Sequence, residues 1–399
     1  MPSINPAMSD PLAIKAAVSV LNQSVTSGDL RLGVAMIANS DGVLFQHATG
    51  AGGTQGQSTV TTDSILAIAS MTKLVTTIAA LQLVETGALT LDEPISTYLP
   101  ALEDLQVLVG FNGDEPIYAP SPRAPSAREL ITHTSGFVYP MWNANALTAQ
   151  TLKITPGLGA GRDSINAPLG FAPGTYMEYG ISTDWLGVLV EQLSGQTLID
   201  YFDAHIFAPL NMQDTFYDLP EAKAHRALPM ALRTAEGLVD APIYQPKPSE
   251  KKPGAFYSGG GGLFSAVHDY TQVMRALLRG GELDGQRVLQ AETVDAMFDN
   301  HIGELTVAPL ATEIPMLTND IDMGFGSTAK WGLGFLLHTQ GTNNGRSAGS
   351  ASWGGLFNSY FWIDRERDMC GVYATQLLPF FDGKAIETLQ ALERIAYGK

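Results

Sequence analysis

The segment Ser70-Met71-Thr72-Lys73-Leu74-Val75-Thr76-Thr77-Ile78-Ala79-Ala80-Leu81 sets a hydroxyl and an ammonium three positions apart. The run that follows them is apolar on nearly every side. The pattern predicts a helix from Ser70 to Thr86, closed by Gly87. A helix apolar all round is a buried one. On it, positions i and i+3 share a face, so the Lys73 ammonium can stand beside the Ser70 hydroxyl. A buried lysine is expected to shed its proton more readily and to serve as a base, and the helix N-terminus favours negative charge developing near Ser70. With 24 serines and 10 lysines in 399 positions, chance alone gives about 0.6 Ser-x-x-Lys matches, so the spacing needs context. It recurs at Ser249/Lys252 in a Pro/Lys-rich loop and at Ser327/Lys330 among glycines. Only Ser70 opens a long helix. A serine cap with a snorkelling lysine would look the same.

Two further signals stand outside that helix. Pro173-Gly174-Thr175-Tyr176-Met177-Glu178-Tyr179-Gly180 leads into a helical pattern at Asp184–Leu193, with Ser182 as its expected cap. A phenol near an ammonium has its anion favoured and can relay a proton, and Tyr176 competes with Tyr179 for that role on position alone. Ser352-Trp353-Gly354-Gly355-Leu356 runs into an expected strand, Phe357–Ile363. Its glycines would let a backbone N–H approach a reacting carbonyl, or else mark a bulge.

Around these signals, residues 10–27 read as an amphipathic helix. Gly33–Ala38 and Val43–His47, joined by Asn39-Ser40-Asp41-Gly42, read as a β-hairpin. A helix is expected from Ser265 to about Leu278, strands at Leu333–Leu337 and Met369–Thr375, and a last helix at about Lys384–Tyr397. Strands at both ends and a loop- and helix-rich middle predict an α+β fold. One antiparallel sheet domain would use residues 1–90 and 220–399, flanked by the terminal helices, with 91–219 a mostly helical insertion and a cleft between the two.

In this order, Ser70-x-x-Lys73, Pro-Gly followed by Tyr179, and Trp353-x-Gly355 resemble the serine β-lactamases of class C and their relatives. The chain is most similar to the family VIII carboxylesterases, which carry Trp-x-Gly where the lactamases carry Lys-Thr-Gly. Leu130-Ile131-Thr132-His133-Thr134-Ser135-Gly136 and Gly262-Leu263-Phe264-Ser265 support the resemblance, which spans about residues 10–397. It implies a β-lactamase-like fold, Ser70 as nucleophile and Lys73 as its neighbouring base. It implies Tyr179 as the base that also protonates the leaving group. Ser70 and Leu356 would supply oxyanion-hole N–H groups, and Trp353, Gly354 and Gly355 would line the substrate site. Whether Lys73 or Tyr179 takes the first proton stays open. Where the lactamases place Asn two residues after the Tyr, this chain has Ile181. That departure argues against efficient lactam hydrolysis.

Composition narrows the class. Lys plus Arg is 23 and Asp plus Glu is 40, a formal charge of −17, which opposes a nucleic-acid binder or docking on anionic lipid. Hydrophobic residues are 45% and charged ones 16%, so a sizeable core is available. The single Cys370 excludes an internal disulfide. The 7 histidines show no ligand spacing, so no metal or other cofactor is expected. His133 is expected to hold a loop through its ring nitrogens. Gly345-Arg346-Ser347-Ala348-Gly349 mimics a nucleophile elbow, but the last histidine, His338, precedes it. Met1–Gln23 has no basic start before an apolar run, and no stretch is long enough to span a membrane, so a soluble cytoplasmic protein is expected. The expected function is a serine carboxylesterase acting through an acyl-enzyme on neutral short- to medium-chain acyl esters. The alternatives are a β-lactamase or D-amino-acid peptidase, an acyltransferase to a small alcohol, and a non-catalytic sensor of the same fold.

Overall fold

The computed structural model describes residues 7–52 and 58–399. The reading of Met1–Gln23 as leader-free falls partly on residues 1–6, outside the described set. Helix α1 (Pro11–Thr26) starts where Asp10 accepts a hydrogen bond from Leu12 N–H, with proline in its first turn. It leads into β1 (Leu32–Ala38) and β2 (Val43–Gly52). Between these strands the Asn39 side-chain oxygen accepts from the N–H groups of Asp41 and Gly42, a turn the sequence Asn-Ser-Asp-Gly is suited to make.

The short β3 (Ser58–Thr59) follows. The remaining strands of this sheet come from the other end of the chain: β4 (Ala329–Trp331), β5 (Leu336–His338), β6 (Ala351–Gly355), β7 (Ser359–Asp364) and β8 (Met369–Ala374). The eight strands lie in the order β4-β5-β6-β7-β8-β1-β2-β3, and every pairing is antiparallel. The β1–β8 pairing joins the two ends of the chain. Every residue of β1, β7 and β8 is buried, so helices must cover both faces of the sheet centre.

The main helices are α1, α2 (Thr72–Glu85), α3 (Ser182–Ser194), α4 (Val267–Leu278) and α5 (Gly383–Ala396), of which α1 and α4 lie directly on the sheet. Helices α1 and α5 pack on each other, α4 lies on β8 and β1, and α2 packs against α3. No helix among the described residues is long and apolar enough to cross a membrane.

Several elements differ in detail from expectation. Trp353-Gly354-Gly355 is itself a strand, paired in register with Phe361, Tyr360 and Ser359, rather than a bulge leading into one. The chain reverses at 356–358, where Asn358 takes a left-handed φ of 56°, so the next strand begins at Ser359 instead of Phe357. Ser265 pairs with Leu66 in a two-residue bridge, and the helix starts two positions later. Residues 91–219 hold, besides helices, an antiparallel hairpin of Gln106–Asn112 with Glu115–Pro120.

Candidate active site

Three segments meet at Ser70. Ala69–Met71 forms one tight helical turn that opens α2, and Ala69 is held at a left-handed φ of 44°. Such a conformation is strained for a residue with a side chain, and here it precedes the candidate nucleophile. Ser70 N–H lies in the first turn of a helix, where amides have no intrahelical acceptor. Just upstream, Leu66 and Ala67 pair with Ser265 and Phe264, and Ile68 N–H donates to Leu263 O at 3.0 Å. From the sheet side, β6 presses on the same turn. A Cβ on Gly355 would lie 2.2 Å from Ile68 O, so only glycine permits the approach.

Lys73, buried on α2, donates to Gly260 O at 2.7 Å, to the Tyr139 hydroxyl at 3.1 Å and to Ser70 Oγ at 3.4 Å. Burial alone would strip its proton, as the sequence suggested. The phenol oxygens of Tyr139 and Tyr179 and the Asp184 carboxylate outweigh burial, and the ammonium is held above its ordinary range. The expectation of a readily deprotonated Lys73 is therefore reversed by its neighbours. Burial raises the Tyr139 phenol despite Lys73 beside it, so it stays protonated at neutral pH.

The phrase Leu130–Gly136 is laced to Pro173–Gly180. Glu178 N–H donates to His133 O at 3.1 Å, Gly174 N–H to Thr134 O at 2.8 Å, and Gly170 N–H to Gly136 O at 2.7 Å. At Gly180 a Cβ would fall 1.9 Å from Phe137 O. This lacing sets Tyr179 in an aromatic box. Its ring centroid lies 4.5 Å from that of His133, 4.7 Å from Trp353, and 5.6 Å from both Tyr139 and Trp142. Lys73 Nζ stands 4.8 Å from the Tyr179 ring centre. The Tyr179 hydroxyl is buried, and its oxygen favours the Lys73 ammonium although the two are not aligned for a well-formed hydrogen bond. Tyr176 is 46% exposed, with its ring edge on Phe171, away from the cluster.

His133 holds its loop, as expected: Nδ1 meets Ser182 Oγ at 2.8 Å. Burial, with Lys73 nearby, keeps the imidazole neutral. That contact also explains why Ser182 is not the cap of α3. It is the first helical residue, with Ile181 at the cap position and no side-chain cap bond.

Several of these groups border a cavity of about 510 Å³. Ser70, Tyr139, Tyr179, Trp353, Gly354 and Leu356 are on its wall, and Gly355 is not. The rest of the wall is largely apolar, with Met141, Phe256, Leu310, Ile321 and Phe380 among its members. No lysine, arginine or histidine lies on it among the described residues. The competing motifs lie elsewhere. Ser347 sits in a turn off the cavity with no helix after it, and Lys330 is held by the carbonyls of Gly303 and Leu305.

Sequence reasoning did not single out Tyr139, Trp142, Asp184 or Gly260. Tyr139 and Trp142 follow the Leu130–Gly136 phrase by a few positions, and Gly260 lies in the Gly259–Gly262 run. Those neighbouring signals were the available pointers.

The chain is 33% identical over 340 residues to a lovastatin esterase of Penicillium rubens, covering 82% of this chain and 83% of that protein. It is 31% identical over 352 residues to the acyltransferase calJ of Penicillium decumbens, covering 82% and 78% respectively. A mutant of the simvastatin synthase of Aspergillus terreus superposes with a TM-score of 0.80 at 26% identity, over 100% of this chain and 98% of that one. The Beta-lactamase family model matches residues 19–394, and this chain belongs to that family.

Proposed function

We propose that this protein is a serine carboxylesterase of the family VIII type, working through an acyl-enzyme on Ser70. The observation that carries the reading is Ser70 Oγ standing 3.4 Å from the Lys73 ammonium on the wall of a largely apolar cavity of about 510 Å³. Ser70 Oγ attacks the ester carbonyl carbon, and the oxyanion sits between the N–H groups of Ser70 and Leu356. Tyr179, beside the Lys73 cation, relays the proton: as its oxygen takes the proton of Ser70 Oγ, its own hydroxyl proton goes to the oxygen of the leaving alcohol. Water then attacks the acyl-enzyme by the reverse route. An ammonium held in its charged form favours Tyr179 over Lys73 as the first base. Trp353 and Gly354 serve as walls of the substrate site, and Gly355 seats β6 against the turn carrying Ser70. We also propose that 91–219 acts as the inserted half of the cleft, since Tyr139, Trp142 and Tyr179 come from it while Ser70 and Trp353 come from the remainder.

A neutral ester suits a wall without cationic side chains, and the relatives include an esterase. The test is labelling by a fluorophosphonate, with turnover of p-nitrophenyl esters of rising chain length. Labelling should map to Ser70 and vanish in Ser70→Ala. An unlabelled protein without ester turnover is a sensor instead. A second reading, acyl transfer, is favoured by cavity size, because about 510 Å³ leaves room for an acceptor alcohol beside a short acyl group. Adding alcohols of rising size and weighing ester product against free acid separates the two.

A further inference from the structure

Asp184 occupies the first turn of α3 and is only 5% exposed. Carboxylates in helix first turns are ordinarily solvated, and burying one is costly unless it is paired. Its Oδ1 accepts from Ser258 Oγ and from Gly260 N–H at 3.0 Å. The carbonyl of that same Gly260 accepts from Lys73 Nζ at 2.7 Å. The carboxylate and the ammonium thus grip the N–H and the carbonyl of one residue.

The segment between them has little freedom. A Cβ on Gly260 would lie 2.6 Å from Asp184 Oδ2, and one on Gly259 would lie 2.4 Å from Thr183 O. Gly259 O accepts from Thr76 Oγ1 on α2 at 2.7 Å. The glycine run is therefore clamped between α2 and α3, with Asp184 as the polar contact on the α3 side.

We propose that Asp184 is a positioning residue of this site: its carboxylate fixes the Gly260 carbonyl, and through it the place of the Lys73 ammonium between Ser70 and Tyr139. The proposal rests on the esterase reading above. Asp184 borders the cavity beside Ser258 and Gly260, and the role proposed for it there is positioning, not chemistry on the substrate. Its charge acts on Lys73 as well, because a carboxylate one residue removed from a buried ammonium favours the charged form. The other groups facing Lys73 are Ser70 on its own helical turn, Tyr139, Tyr179 and the neutral His133. Asp184 also faces Ser258 and influences the Tyr217 phenol.

The test compares Asp184→Ala and Asp184→Asn with wild type on p-nitrophenyl butyrate, across pH, after thermal melting shows which variants fold. Asparagine keeps an oxygen that accepts from Gly260 N–H and Ser258, whereas alanine keeps none. The expected result for Asp184→Ala is a fall of about 10²-fold in kcat with KM little changed, the size of loss that a misplaced catalytic group produces. Asp184→Asn should recover most of that loss. A folded Asp184→Ala with wild-type kcat overturns the proposal, as does Asp184→Asn no better than Asp184→Ala. Should Asp184→Ala fail to fold, Asp184→Asn decides alone, and a folded Asp184→Asn whose kcat falls about 10²-fold or more overturns the proposal. Ser70→Ala runs alongside. Ester turnover that survives Ser70→Ala refutes the reading of the site instead, whatever the Asp184 variants do.

Discussion

Removing the Tyr179 hydroxyl separates stability from activity in a way the structure makes quantitative. The ring is 3% exposed and packed in an aromatic box, and its hydroxyl oxygen favours the nearby Lys73 ammonium without a well-formed hydrogen bond to it. Phenylalanine keeps every ring contact and removes only that oxygen. A full hydrogen bond to a charged group contributes about 1.5–3 kcal/mol, so Tyr179→Phe should lower the unfolding free energy by less than that, about 1 kcal/mol. For a domain this large, that moves Tm down by only about 1–2 °C. Turnover should suffer far more, falling about 10²–10⁴-fold through loss of the proton-transfer group. Tyr139→Phe is the contrast. Its hydroxyl accepts from Lys73 at 3.1 Å, so the variant leaves a buried ammonium short of an acceptor and should lose about 1–3 kcal/mol. Urea unfolding with kcat on p-nitrophenyl butyrate measures both quantities on the same samples. A Tyr179→Phe protein that loses as much stability as Tyr139→Phe would show that both hydroxyls hold Lys73 equally in the resting enzyme. One with wild-type kcat would remove Tyr179 from the mechanism.

Further outcomes follow from the same geometry. Ser70→Ala should abolish ester hydrolysis while Ser347→Ala retains most of it, because Ser347 lies off the cavity; equal loss in two folded variants would move the nucleophile. Neutral esters should show much higher kcat/KM than nitrocefin or a penicillin, since Trp353 stands where the lactamases place a lysine and a charge-assisted hydrogen bond of about 1.5–3 kcal/mol is missing. Lactam turnover matching ester turnover would contradict that. His338 is fully buried beside Arg346 and pushed from 6.5 down to about 3 by burial and by the guanidinium. It is neutral in the folded chain while the unfolded chain takes up a proton, so stability should be fully present above pH 6.5 and fall as pH drops toward 3. The slope is at most about 1.4 kcal/mol per unit from this group. Urea unfolding at several pH values should show a shallower slope in His338→Gln, and an unchanged slope would mean His338 titrates normally.

What the sequence by itself determined is local. Hydrophobic periodicity and turn residues set the helices at 11–26, 72–85 and 383–396 and the hairpin around Asn39–Gly42, because those depend on nearest neighbours along the chain. The order of Ser70-x-x-Lys73, Tyr179 and Trp353 pointed to the family and to the cluster. Tertiary structure alone decided the charge of Lys73. Burial argued for a neutral amine, and only the convergence of Tyr139, Tyr179 and Asp184 from separate segments reversed it. It set apart Tyr176 and Tyr179, three residues apart, because lacing to the His133 segment buries the Tyr179 ring near Lys73 and leaves the Tyr176 ring half exposed on Phe171. It also decided that Trp353-Gly354-Gly355 is a strand, since two glycines have weak strand preference and only pairing with Ser359–Phe361 holds them extended. Electrostatics and close approach are sums over residues distant in sequence, so no window along the chain contains them.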